Sequence, residues 1–162
     1  DICTPPPSQK FESLGEGRAK EDGTLNEKKL TDWIDAARKQ CIETKHVTGC
    51  DIQIGFILAH APSDADGTWP HIAVRNLIER LNNDVIDRHI QNEVHNSRGV
   101  VSRGLNDGGR QERELVEKYK ISDAVKTKWP RTAAMIRSIT ESYEYQAKSE
   151  DIDSDMHDLR WD

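Results

Sequence analysis

The sequence predicts an all-α fold, a compact bundle of about five or six helices behind an irregular N-terminal arm. Apolar residues recur at spacings of three and four through most of the chain, which puts them on one face of successive helices. Helix-start signals, a capping box and two Trp-Pro pairs among them, stand ahead of those stretches. A charged fraction of 32% against 35% hydrophobic suits helices with one buried and one solvated face.

Residues 1–23 hold Pro5, Pro6 and Pro7, several glycines and mixed charge without periodicity. They read as a linker or surface arm ahead of a helical domain over 24–162. Thr24 and Glu27 match a capping box, and Leu30, Trp33, Ile34, Ala37 and Cys41 follow on one helical face. Gly49 is the expected stop. Residues 51–60 fit two patterns: Ile52, Ile54, Phe56 and Leu58 alternate as in a strand, while Ile54, Ile57 and Leu58 share a helical face. Helix is the expectation, with Asp51 as its cap, because a lone strand leaves its backbone polar groups without partners. Residues 61–67 form a loop, and Pro70 takes the first turn of a helix with Val74, Leu77, Ile78 and Leu81 inward. Asp84 caps the next, which buries Ile86, Ile90 and Val94. Leu115, Val116, Tyr119 and Val125 continue toward Trp129. Pro130 opens a last long helix with Ile136, Ile139, Tyr143 and Ala147 inward, and the acidic stretch 150–162 is expected to fray.

A chain of 162 residues is long enough for one domain with a substantial core. Its net charge of -6 argues against a duplex-DNA module, since duplex binding is dominated by phosphate neutralisation. Cys3, Cys41 and Cys50 are odd in number and lack CxxC spacing, which argues against a disulfide framework and against structural zinc. A reducing cytoplasm is the simplest setting. No apolar run approaches the roughly 20 residues that span a bilayer. The start at Asp1 rather than Met suggests a fragment or processed form, which leaves room for a signal peptide or upstream domains.

One segment carries the candidate chemistry. Residues 96–113 are rich in glycine and arginine and lie between two helical stretches. Glycine lets the backbone approach a partner closely, and a helix N-terminus offers unpaired N–H groups. Arg98, Arg103, Arg110 and Arg113 are placed to grip a phosphate or carboxylate, with the amides of Gly109 and Arg110 completing an anion nest. The spacing is not that of a P-loop. The competing reading is structural. Glu93 falls on the apolar face with Ile86 and Ile90, and Glu112 falls beside Val116 and Tyr119. Two inward carboxylates need partners, and Arg98 and Arg103 are the nearest in sequence. The structural reading is the stronger, because ion-pair networks commonly imitate sites.

Asp66-Gly67, Trp69-Pro70, Val74-Arg75, Arg98-Gly99-Val100, Gly108-Gly109 with Gln111-Glu112-Arg113, and Trp129-Pro130-Arg131-Thr132-Ala133 together resemble segments near the ends of bacterial proteins of unassigned role. The resemblance covers residues from about 30 to 151. It implies no activity, ligand or catalytic residue.

Weaker candidates fall away. Asp64, Asp66 and Gly67 look like the start of a calcium loop, but position 75, where a bidentate Glu belongs, is Arg. His89 and Glu93 share a helix face ahead of His95, without the second histidine of HExxH or a signalled third ligand. His60 and His71 flank the Asp loop and are placed to converge across it, but read more simply as residues that cap helix ends or pack against tryptophan. No nucleophile motif occurs. Cys41 reads as a core residue, and Cys50, at a helix start, as a thiol of lowered pKa.

The sequence therefore favours a non-catalytic interaction or regulatory module of a larger bacterial protein, docking on another protein or domain. It implies no metal or cofactor. The alternative is an enzyme or sensor that binds a phosphorylated small molecule or nucleotide at residues 96–113, with Glu93 or His89 moving a proton.

Overall fold

The fold is all-α. A computed structural model describes residues 25–99 and 108–158, which hold seven helices and no strand. These are α1 (Glu27–Glu43), α2 (Val47–Ala59), α3 (Ile72–Leu81), α4 (Asp84–Asn96), α5 (Arg110–Lys118), α6 (Asp123–Lys128) and α7 (Pro130–Asp158). The helix beyond the expected five or six is the short α6, which the apolar residues between Leu115 and Trp129 had concealed. Ser122 starts it by accepting from the Val125 amide at 3.3 Å. The chain divides into two compact units, the first ending at Glu93 and the second beginning at Val94.

In the first unit the starts differ from their expected positions. Asn26 caps α1, its side chain accepting from the Lys29 amide at 3.0 Å, and Glu27 is already helical. The Asx geometry of Asn26 wins over the Thr24–Glu27 box, and Thr24 lies outside the described residues. The helix stops at Thr44 rather than Gly49, because Lys45 takes a left-handed φ of 60° and turns the chain. Residues 51–59 are helical as expected, but the helix starts at Val47, so Asp51 is not its cap. Asp51 is buried and accepts from Arg38 Nε at 2.8 Å and from Asn83 at 2.7 Å. Asn83, not Asp84, caps α4, accepting from the Val85 and Ile86 amides at 2.9 and 3.2 Å. Pro70 precedes α3 instead of opening it, across a cis bond from Trp69.

The core of this unit is Leu30, Ile34, Ile54, Leu58, Val74, Leu77, Ile78, Ile86 and Ile90, all on the expected faces, with Leu81 half-buried. Gly55 lets α2 reach α4 closely: a Cβ there would lie 2.7 Å from the His89 Cβ and 2.8 Å from the Ile86 carbonyl oxygen.

The second unit is organised around α7. Ile136, Ile139, Tyr143 and Ala147 form its buried stripe, and α5 and α6 pack along it. Tyr119, Val125 and Trp129 complete the core, while Leu115 and Val116 are half-buried. The acidic end does not fray where it is described, since α7 runs to Asp158. Among the described residues no helix is long and apolar enough to cross a membrane.

Candidate functional site

The glycine-arginine segment is flanked by α4 on one side and opens α5 on the other. Residues 100–107 lie outside the described part, and Arg103 with them. What remains assembles around α7. Arg98, just past the end of α4, reaches Glu112 on α5 with its Nη2 and Gln146 on α7 with Nη1 at 3.4 Å. Glu112 has no exposed surface, and the Arg98 side chain keeps 15% of its own. A buried carboxylate is tolerated only when charge and hydrogen bonds replace water, and Arg98 supplies both.

The surroundings are aromatic. The Arg98 guanidinium lies 5.9 Å from the Tyr143 ring centre, His95 packs against the same ring at 4.7 Å, and Tyr119 stacks on it at 6.3 Å. The Tyr143 hydroxyl donates to the Val94 carbonyl at 3.5 Å. Burial pushes the Tyr119 phenol up to about 12, with Tyr143 adding to it. Burial raises Tyr143 too, against the pull of the Arg98 charge. Both phenols therefore stay protonated at neutral pH; Tyr119 packs, and Tyr143 packs and donates. Burial, then the Arg98 charge, lowers His95, so its ring is neutral under the same conditions.

The residues expected to form an anion nest lie at the start of α5. Gly109 is buried, and its amide donates to the Asp151 carboxylate at 2.9 Å. Arg113 grips the same carboxylate through both terminal nitrogens, at 2.9 to 3.3 Å. Backbone amide and guanidinium thus converge on an anion, and that anion is a side chain of α7. Arg110 is exposed at the first helical position. Asp151 was missed at the sequence level because it sits in a stretch rich in acids. It was nonetheless visible as the next i+4 position after Tyr143 and Ala147 on the buried face of α7.

Glu93 takes a different partner from the arginines. Its Oε1 lies 3.0 Å from His60 Nε2, an exposed to half-buried pair. His89 turns away from Glu93: its Nδ1 donates to the Val85 carbonyl at 2.8 Å and its ring meets Phe56 edge-on at 5.5 Å. The His89, Glu93 and His95 constellation is therefore not one site. Each group is spent on its own helix or nearest neighbour.

A second charged cluster escaped the sequence reading. Asp64 accepts from the Ile72 amide at 3.0 Å, pairs with Arg75, and lies 3.4 Å from His71 Nε2. His71 Nδ1 accepts from the Ala73 amide at 3.1 Å, so the proton sits on Nε2. Burial lowers the His71 pKa in spite of the Glu27 charge. The carboxylate that looked like the start of a calcium loop is thus a helix cap and ion-pair partner. Asp66 closes its own turn by accepting from the Thr68 amide at 2.8 Å. Among the described residues no group of three or more His, Cys, Asp or Glu side chains is arranged to hold a metal ion.

Cys41 is half-exposed rather than a core residue, and Cys50 also departs from expectation. It lies in the first turn of α2, but burial pushes its thiol up to about 12, helped by Cys41 and the Asp51 carboxylate. Comparison of the chain with protein-family models, with curated proteins and with solved structures finds no match.

Proposed function

We propose that this chain is a non-catalytic interaction or regulatory module that docks on another protein or domain through a helix face. What supports the reading above all is an apolar row on α7. Tyr145, Ile152 and Met156 are 76%, 59% and 54% exposed. Their spacings of seven and four put them on one side of the helix, opposite the stripe that Ile136, Tyr143 and Ala147 bury. One helix thus carries two apolar faces, of which its own unit uses one. Large exposed apolar side chains that form a row, rather than lying scattered, are the usual mark of a contact surface. The charged segment gives consistent support, because Arg98 and Arg113 are engaged by Glu112 and Asp151.

The test pairs two measurements. Cross-linking in cells of the source organism with the wild type and with Ile152→Asp/Met156→Asp should give one defined partner that the double variant loses while remaining folded. A thermal-shift screen with nucleotides and sugar phosphates should give no rise. A rise that Arg113→Ala abolishes would instead establish the ligand-binding alternative.

A further inference from the structure

The turn between α1 and α2 brings two thiols together. Lys45 reverses the chain at a φ of 60°. The His46 amide then donates to the Cys41 carbonyl at 2.8 Å, and the Cys50 amide donates to the His46 carbonyl at 3.1 Å. This hydrogen-bonded turn folds the start of α2 back on the end of α1 and brings the Cys41 thiol close enough to act on the Cys50 thiol. Both are free thiols and both are half-exposed, within reach of a small reagent. A disulfide needs Cβ atoms roughly 3.5–4.5 Å apart, and two thiols held on either side of one tight turn reach that geometry by side-chain rotation and a small shift of the turn. The neighbouring charges are occupied with each other: Asp51 accepts from Arg38 and Asn83.

We propose that Cys41 and Cys50 close reversibly into an intrachain disulfide when the protein meets a low-molecular-weight disulfide, forming a redox clasp across the α1–α2 turn. Cys41 gives up its proton and attacks one sulfur of the reagent. The reagent's S–S bond breaks, one half leaves and takes up a proton as a thiol, and Cys41 carries the other half. Cys50 then gives its proton to solvent and attacks the Cys41 sulfur. The mixed bond breaks, the Cys41–Cys50 bond forms, and the second half leaves as a thiol. The protein loses two hydrogens and the reagent gains two. The order follows from burial, which holds Cys50 protonated with its pKa pushed up to about 12 and leaves the first attack to Cys41. The clasp is independent of the docking face on α7.

The test uses the full chain with Cys3→Ser, treated with oxidised glutathione at pH 8. Both remaining thiols should disappear together, the intact mass should fall by two hydrogens, and digestion should give a peptide joining positions 41 and 50 that dithiothreitol separates. With Cys50→Ser added, one glutathione should stay on Cys41. With Cys41→Ser instead, reaction at Cys50 should be about tenfold slower or more. Retention of glutathione on Cys41 while Cys50 is present, a disulfide-linked dimer, or an unreacted pair would overturn the proposal.

Discussion

The Gly109 amide donates to the Asp151 carboxylate at 2.9 Å, across a contact between α5 and α7 so close that only glycine fits. A Cβ at Gly109 would lie 2.3 Å from the Ala147 carbonyl oxygen and 2.5 Å from the Ala147 Cα. The φ of -82° is open to any residue, so glycine is required by proximity and not by backbone conformation. The start of α5 is therefore seated on α7 by a hydrogen bond, an ion pair and the absence of a side chain.

Gly109→Ala should push α5 away from α7 and cost about 3 kcal/mol, at the upper end for overpacking, because the obstructing atoms are backbone. Urea melts measure it. Asp151→Asn, which keeps an acceptor for the amide and removes the charge from an exposed pair, should cost about 1 kcal/mol or less. Equal losses in the two variants would contradict this division.

At the start of α1, Asn26→Ala should cost about 1 kcal/mol, because it removes the acceptor for the Lys29 amide. Thr24→Ala leaves that acceptor in place and should cost less. The reverse order in thermal melts would restore the capping box.

Stability should fall as pH drops from 7.5 to 5.5. Burial lowers the pKa of His71 and of His95 below the ordinary value of 6.5. The unfolded chain therefore takes up protons first, and the stability these rings contribute is present above about 6.5 and lost as pH falls through their folded values. His71 has a further reason: a proton on Nδ1 would remove the acceptor that caps α3 at Ala73. Denaturant melts across this range should show a flatter profile in His71→Asn/His95→Asn than in the wild type. An unchanged slope would contradict the assignment.

Much of the fold was legible from periodicity. The faces of α1, α3, α4 and α7 were readable because Ile34, Val74, Ile86, Ile90, Ile139 and Tyr143 repeat at helical spacing, and burial follows that spacing. Boundaries were less legible. Thr24 and Asn26, like Asn83 and Asp84, are near neighbours that can each cap, and the observed caps are the asparagines, whose side chains accept from amides two and three residues on. The carboxylate on Glu112 could be read as buried and in need of an arginine, because a helix wheel places it beside Val116 and Tyr119. The partners of Glu93, Arg113 and Asp64 could not be read. His60 is 33 positions from Glu93, and Asp151 is 38 from Arg113. Asp64 meets Arg75 across the loop that precedes α3.

The most direct test of the account is the stability of Arg98→Ala. Glu112 has no exposed surface, and the Arg98 guanidinium meets it. Truncating Arg98 removes a guanidinium from a fully buried carboxylate, and the loss in denaturant melts should be about 3–5 kcal/mol. Replacing both residues, as Arg98→Met/Glu112→Leu, should recover much of that loss, since a buried pair exchanged for apolar groups of similar size is often near neutral. A loss of about 1 kcal/mol or less in Arg98→Ala, the size expected of an exposed pair, would contradict the structural role and return the arginine to the anion-binding alternative.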